Sequence, residues 1–231
     1  MARRVGRWTA ALGGLLLVVA LLGWLAYAVA LPRYRPGLAE GERYGIDVSN
    51  HQRDIDWAAV AGDDVGLAYL KASEGATYED ERFTENWAGA REAGLEVGAY
   101  HFFTLCRSGE EQAANLLGRL AEVGANDTAL LPVVDLELSG NCSDRPSADV
   151  VTERLRTFVD RVEAETGQRV VLYLLDDFAQ VYPLPVDLAD RDRWVRRLLR
   201  RPGGDWAWWQ VSSRAHVNGV DGGVDLNVVA H

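Results

Sequence analysis

One uninterrupted apolar run dominates the pattern of hydrophobic and polar positions. Residues 9–31 read TAALGGLLLVVALLGWLAYAVAL and contain no charge. Arg3, Arg4 and Arg7 precede the run, and Arg33 and Arg35 come after it. As a helix it spans about 34 Å, enough to cross the hydrocarbon core of a bilayer. Trp8, Trp24 and Tyr27 lie towards its ends, where interfacial aromatics are expected. The run supports two expectations. Residues 1–31 form a cytoplasmic stub and a transmembrane anchor, or they form a signal peptide cleaved after Ala28-Val29-Ala30. The run exceeds the ~7–15 apolar residues usual in a signal peptide, which favours the anchor. Both expectations export the remainder of the chain, and the leading arginines favour an N-terminus inside. Residues 32–43 contain two prolines and two glycines and predict a short linker.

From residue 44 onward the pattern changes to short apolar runs separated by stretches of helical period. Strands are predicted over residues 44–48, 66–71, 96–103, 130–137, 169–174, 193–195, 206–211 and about 224–228. Helices are predicted over 82–93, 110–123 and 147–166, the last capped by Ser147 and stopped by Gly167. Strand–helix alternation predicts a parallel sheet with helices outside. About eight strands in fewer than ~200 residues predict an α/β fold of a particular kind, a shortened (β/α) barrel with helices missing, since a full barrel needs ~250 residues. An open doubly wound sheet is the alternative, but no glycine-rich phosphate loop comes after the first strand.

Composition refines this picture. Hydrophobic residues make up 48% of the chain and charged residues 25%, sufficient for one sizeable core. The net charge is −10, but the first 43 residues carry six arginines and two glutamates, leaving −14 for residues 44–231. Such a domain is repelled by phosphate backbones, which excludes nucleic acid as a partner. Cys106 and Cys142 are the only cysteines. In an exported domain they predict a disulfide, against the alternative of two buried thiols. With no histidine beside them they predict no metal site, and no cofactor motif is present.

In a barrel, functional side chains close the strands at their C-terminal ends. Residues two apart on a strand face the same way, so Asp135 and Glu137 should both enter the lumen. Crowded carboxylates separate in pKa, and paired carboxylates equip glycosidases. A strand end turning polar at the surface accounts for the same pattern equally well. Asp47 ends the first strand, although an Asx-turn or a helix cap also explains it. Lys71, the only lysine, ends the second strand next to Ser73 and Glu74, consistent with an ion pair in the lumen. Trp206, Trp208 and Trp209 cannot all be buried cheaply. They suit stacking on sugars, or else they alternate between core and helix packing.

Taken together, these motifs resemble glycoside hydrolase family 25, the Chalaropsis-type and phage-endolysin-type lysozymes. The matching residues run in order: Gly45-Ile46-Asp47-Val48-Ser49 with Gln52, and Ile55-Asp56-Trp57. Lys71-Ala72-Ser73-Glu74-Gly75 and Gly94-Leu95 come next, then Gly98-Ala99-Tyr100-His101-Phe102. Pro132 to Glu137, Trp209-Gln210 and Val224-Asp225-Leu226-Asn227 complete the series. The resemblance implies a shortened barrel and cleavage of the β-1,4 bond between N-acetylmuramic acid and N-acetylglucosamine. It places Asp47, Asp135, Glu137 and Asp225 in catalysis, and all four acidic positions are kept. It expects Lys71, Glu74, Tyr100, His101, Tyr173, Trp209 and Gln210 to contact the glycan.

Glu137 is expected to be the general acid, raised in pKa by Asp135, with Asp135 orienting a participating 2-acetamido group. Two departures fall where substrate is gripped. Trp194-Val195-Arg196-Arg197-Leu198 lacks a familiar aromatic, and residues 176–182 lack a familiar Thr or Ser. The expected partners are peptidoglycan and, through the N-terminal helix, a lipid bilayer. The expected site of action is outside the cell membrane, or secreted if the segment is cleaved, and the expected state is a monomer. A non-catalytic wall-binding module is the competing reading, with a glycosidase acting on another N-acetylated glycan as the third.

Overall fold

Helix α1 (Ala2–Leu25) continues through a π-turn (Ala26–Ala30) into a 3-10 turn (Leu31–Arg33). Pro32 sits in that last turn, where its missing N–H costs nothing, and Tyr34 is already extended. The computed structural model describes residues 2–125 and 130–230, apart from the side chains of residues 2–11. Arg3, Arg4, Arg7 and Trp8 therefore lie outside the described side chains. Residues Leu12–Arg33 make a helix long and apolar enough to cross a membrane, and none of it is buried.

The chain divides into two compact units, Met1–Arg35 and Pro36–His231. Residues 36–43 were expected in the linker, but they lie down on the second unit. Tyr44 Oη donates to the Pro36 carbonyl, and Arg201 pairs with Glu42 and donates 3.0 Å to the Gly37 carbonyl. A segment hydrogen-bonded on both sides has lost the freedom of a linker.

The second unit is a closed barrel. Its strands are β1 (Arg43–Val48), β2 (Val65–Glu74), β4 (Glu96–Phe102), β5 (Val133–Leu136) and β6 (Val171–Leu174). The ring is completed by β7 (Arg193–Arg196), β8 (Trp208–Ala215) and β9 (Val224–Val229), and the short β3 (Tyr78–Glu79) hangs on β2. Order round the ring is β1-β9-β8-β7-β6-β5-β4-β2, closed by β1 on β2. Most pairings are parallel, but β9 runs antiparallel to both neighbours, which corrects the all-parallel expectation. The reason is topological. Residues 216–223 join β8 to β9, and a return without a crossover helix reverses the strand.

The long helices α3 (Phe83–Glu92), α4 (Gly109–Glu122) and α5 (Ala148–Thr166) fall where the helical period put them. Ser147 caps α5 only through its backbone, since its side chain makes no capping bond, and Gly167 ends the helix in the left-handed region at φ 68°. Two short helices, α2 (Trp57–Ala61) and α6 (Asp176–Val181), lacked a readable period.

Alternation along the strands builds two apolar layers. Leu70, Val134, Leu136, Leu172, Trp209 and Val228 face the helices, while Leu67, Tyr69, Val133, Val171, Trp194, Trp208 and Val229 plug the lumen. Gly98 belongs to a motif noted in the sequence because the plug needs it. A Cβ there would lie 2.2 Å from the Tyr69 ring.

Candidate active site

Above the apolar plug the lumen turns polar. Asp47, Tyr100, Asp135, Glu137, Tyr173, Trp194, Arg196, Gln210, Ser213 and Asp225 line one cleft. Strand alternation puts them there: Asp135 lies two residues after Val133, and Tyr173 two after Val171. Asp225 enters from the beginning of its strand, not the end, because β9 is reversed and brings its first residues to this face. A larger groove of about 610 Å³ lies between α3, α4 and α5. Among the described residues its charged lining is Arg161 and Glu165 alone.

A hydrogen-bonded chain fixes much of the cleft. Asp47 and Asp225 are direct partners across the β1–β9 ladder. Asn227 Nδ2 donates 2.7 Å to Asp47 Oδ2, and Asn227 Oδ1 accepts from Trp194 Nε1 at 2.9 Å. Tyr173 Oη donates 2.7 Å to Gln210 Oε1, and the Gln210 side chain bonds to Asp225. Burial, reinforced by the Asp225 charge, holds the Asp47 carboxyl well above its usual range. Asp225 is also raised by burial, but its bonds to Gln210 and Asp47 pull it back. Facing each other in a buried lumen, the two carboxyls titrate as one coupled pair, both raised.

Asp135 is raised well above the carboxylate range, first by burial and then by the charge of Glu137. Its buried Oδ1 has no hydrogen-bond partner among the described residues. Glu137 is raised too, but the cause differs from expectation. Burial dominates and Asp177 and Asp225 add to it, while Arg196 and Lys71 pull the other way. Crowding between Asp135 and Glu137 thus falls on Asp135. Glu137 lies just beyond the end of β5, half-exposed, with its backbone carbonyl held by Asn141 Nδ2 at 3.0 Å.

Lys71 and Glu74 form the ion pair suspected from sequence, at 2.6 Å, with the ammonium 5.1 Å from the Phe102 ring centroid and 5.3 Å from that of Tyr78. Its charge reaches Asp135 and Glu137. Tyr100, Tyr173 and Gln210 line the cleft.

His101 and Trp209 do not. Each lies one residue from a lumen residue, and a shift of one reverses the face. His101 is fully buried, stacked on Phe158 at 4.9 Å and bonded to Ser73 Oγ and Gln112. Burial pushes its pKa down to about 3, so the ring is a neutral core residue. Trp209 is buried on the outer face and donates 2.7 Å to the Arg197 carbonyl. Trp208 fills the plug against Tyr69 and Trp194, and Trp206 is half-buried beside Trp209. Opposite facing resolves the cost of burying neighbouring tryptophans.

The tryptophan that does line the cleft is Trp194, which sequence reasoning did not select, and Asn227 and Arg196 were likewise missed as site residues. The signal for Trp194 and Arg196 was their spacing of two on β7. Cys106 and Cys142 form the expected disulfide, with Cα atoms 6.4 Å apart, tying the β4–α4 loop to the β5–α5 loop.

A family description, Glycosyl hydrolases family 25, matches residues 46–220. An uncharacterized protein of Escherichia coli K12, YegX, is 34% identical over 202 residues, covering 80% of this chain and 68% of YegX. Lysozyme M1 of Streptomyces globisporus is 31% identical over 198 residues, covering 79% of this chain and 66% of that protein. The structure of a family 25 glycosyl hydrolase from Bacillus anthracis superposes with a TM-score of 0.76 at 30% identity, covering 86% of this chain and 94% of that one.

Proposed function

Because the chain belongs to glycosyl hydrolases family 25, we propose that its cleft cuts peptidoglycan strands with Glu137 as the general acid. The chain is a glycoside hydrolase of the muramidase type, and its substrate is the β-1,4 bond between N-acetylmuramic acid and N-acetylglucosamine.

The observation that carries the assignment of roles is a carboxyl whose pKa burial raises, Glu137, two residues beyond Asp135, whose buried Oδ1 has no partner among the described residues. An acid catalyst must keep its proton at the working pH, and burial of Glu137 works in that direction. The substrate carries a 2-acetamido group, and its N–H finds an acceptor in Asp135 Oδ1. Held so, the acetamido oxygen attacks the anomeric carbon as the glycosidic C–O bond breaks, and the leaving oxygen takes the Glu137 proton. Glu137, now a carboxylate, removes a proton from the water that opens the cyclic intermediate. The anomeric configuration is retained.

Asp47 and Asp225 titrate as one coupled pair beneath the reacting sugar. They supply negative charge without a full second anion and hold Asn227, Gln210 and Tyr173 in register. A wall-binding module without catalysis has no use for a glutamate kept acidic, which favours the enzyme.

Turnover of purified peptidoglycan by four variants tests the roles, beside their melting curves. Glu137→Gln should lower kcat by about 10²–10⁴, the usual worth of general acid catalysis, and leave melting nearly unchanged. Asp135→Asn should be severely impaired, and Asp47→Asn and Asp225→Asn less so. Near-normal turnover by folded Glu137→Gln would sink the assignment. Activity should also fall as pH rises through the raised Glu137 pKa, since the acid then loses its proton. The N-terminal helix is best read as an anchor holding a monomeric catalytic domain outside the membrane, where peptidoglycan lies.

A further inference from the structure

The cleft is acidic, yet one of its walls is a cation. Four carboxyl groups line it, and an anionic ligand would be repelled wherever they are ionised. Two basic side chains stand near them. Lys71 is already committed to Glu74 and to two aromatic faces. Arg196 lines the cleft and is exposed, and its guanidinium has no hydrogen-bond or ion-pair partner among the described residues. It shares the cleft with Glu137 and Asp225, and its charge acts on both.

Arg196 is also held ready. It belongs to a run, Arg196 to Arg201, with four arginines in six residues of a domain whose net charge is −14. That run is fixed from beneath. Arg197 N donates to the Gln210 carbonyl at 3.1 Å and Leu199 N to the Val211 carbonyl at 2.8 Å. The Arg201 guanidinium lies 5.2 Å from the Trp209 ring centroid and 5.6 Å from that of Trp206, and pairs with Glu42. Arg197 and Arg200 are exposed on the same run. A fixed cationic rim beside an acidic cleft is built to select a ligand that carries a negative charge at one end only.

Resting on the muramidase reading, we propose that Arg196 is a specificity residue that binds a carboxylate carried by the glycan, the free lactyl group of a muramyl unit whose stem peptide has been removed. On an intact strand that lactyl carbonyl is an amide and bears no charge. Once the peptide is cut away it is an anion, and a guanidinium accepts it through paired hydrogen bonds. The enzyme then prefers glycan already stripped by an amidase-type reaction, which places it after that class of reaction in wall turnover.

The test uses the full chain in detergent and two soluble glycans from one wall preparation. Both are stripped of stem peptides, and in one the lactyl carboxylates are converted to primary amides. The quantity read is the ratio of kcat/KM on the acid form to that on the amide form. Wild type should favour the acid by roughly tenfold, the worth of one charge-assisted hydrogen bond. The preference should shrink as salt is raised. Arg196→Gln should bring the ratio close to one, and Arg196→Lys should keep part of it.

A wild-type ratio near one, or an unchanged ratio in folded Arg196→Gln, overturns the proposal. So does a variant whose only change is a displaced pH profile, because Arg196 would then act on Glu137 and not on substrate. Preference that tracks attached phosphate polymers instead, lost when they are removed, assigns the rim to phosphate and overturns the carboxylate. If wild type cuts neither glycan, the muramidase reading itself falls.

Discussion

Asp47 and Asp225 owe their raised pKa values to strand pairing, because antiparallel β1 and β9 set the two carboxyls opposite each other in a buried lumen. Both bind protons more tightly folded than unfolded, so unfolding free energy must fall as pH rises from the ordinary carboxylate range through their raised values. Asp47→Asn removes that cost. It should raise Tm by about 2–6 °C at neutral pH and change it little near pH 4, while lowering turnover. Equal shifts at both pH values would contradict the coupled titration. His101 works in the opposite direction. Its depressed pKa makes the fold lose stability as pH drops below about 6.5 towards 3, as the unfolded ring takes a proton that the buried one refuses. Single residues were readable in the sequence where polarity closed an apolar strand, as with Asp47, Asp135 and Glu137. The structure differs where the resemblance alone guided the reading. His101 and Trp209 each sit one step from a lumen residue, and the face is decided by register, which the sequence does not display. Ser49, Gln52 and Asp56, part of the family motif, turn out to cap short helices.

Loops, not strands, carry Glu137, and two devices hold them at the scale of elements. Asn141 bonds the Phe103 and Glu137 carbonyls and accepts from Leu105 N at 2.9 Å, stapling the loop after β4 to the loop after β5. The Cys106–Cys142 disulfide repeats the link one residue away, across a separation of 36. Replacing both cysteines by serine should cost about 4 kcal/mol by the loop-entropy relation, or roughly 10 °C in Tm. A loss under about 1 kcal/mol in the oxidised protein would show that Asn141 alone fixes the loops. Asn141→Ala should lower kcat more than KM rises, because it loosens the acid and not the sugar contacts. Most strands and the three long helices were legible from period alone. Helices α2 and α6 were not, since five or six residues hold too few turns to show one. The reversal of β9 was hidden as well, because alternation of apolar positions is the same in either direction.

At the scale of the whole molecule, charge and hydropathy separate the chain into an apolar cationic start and an acidic remainder, and the structure divides near the same place. The second unit contains every hydrogen bond of the cleft. A chain beginning at Pro36 should therefore fold with a Tm within about 2 °C of the full-length protein and remain soluble without detergent. Whole cells should yield the intact chain in the membrane fraction after an alkaline wash. A soluble product beginning at Leu31 would instead show that the segment had been cleaved. Closure of the barrel has one further consequence, in time. The bond from Asn227 to Asp47 joins residues 180 apart, and the strand that carries Asn227 and Asp225 is the last of the nine. While the protein is being made, Asp135 and Glu137 exist long before their partners do. A nascent chain that has not reached Val224 leaves β1 and β8 each short of one neighbour, and Asp47 without Asn227 and Asp225. The cleft is thus complete only once β9 has joined both β1 and β8.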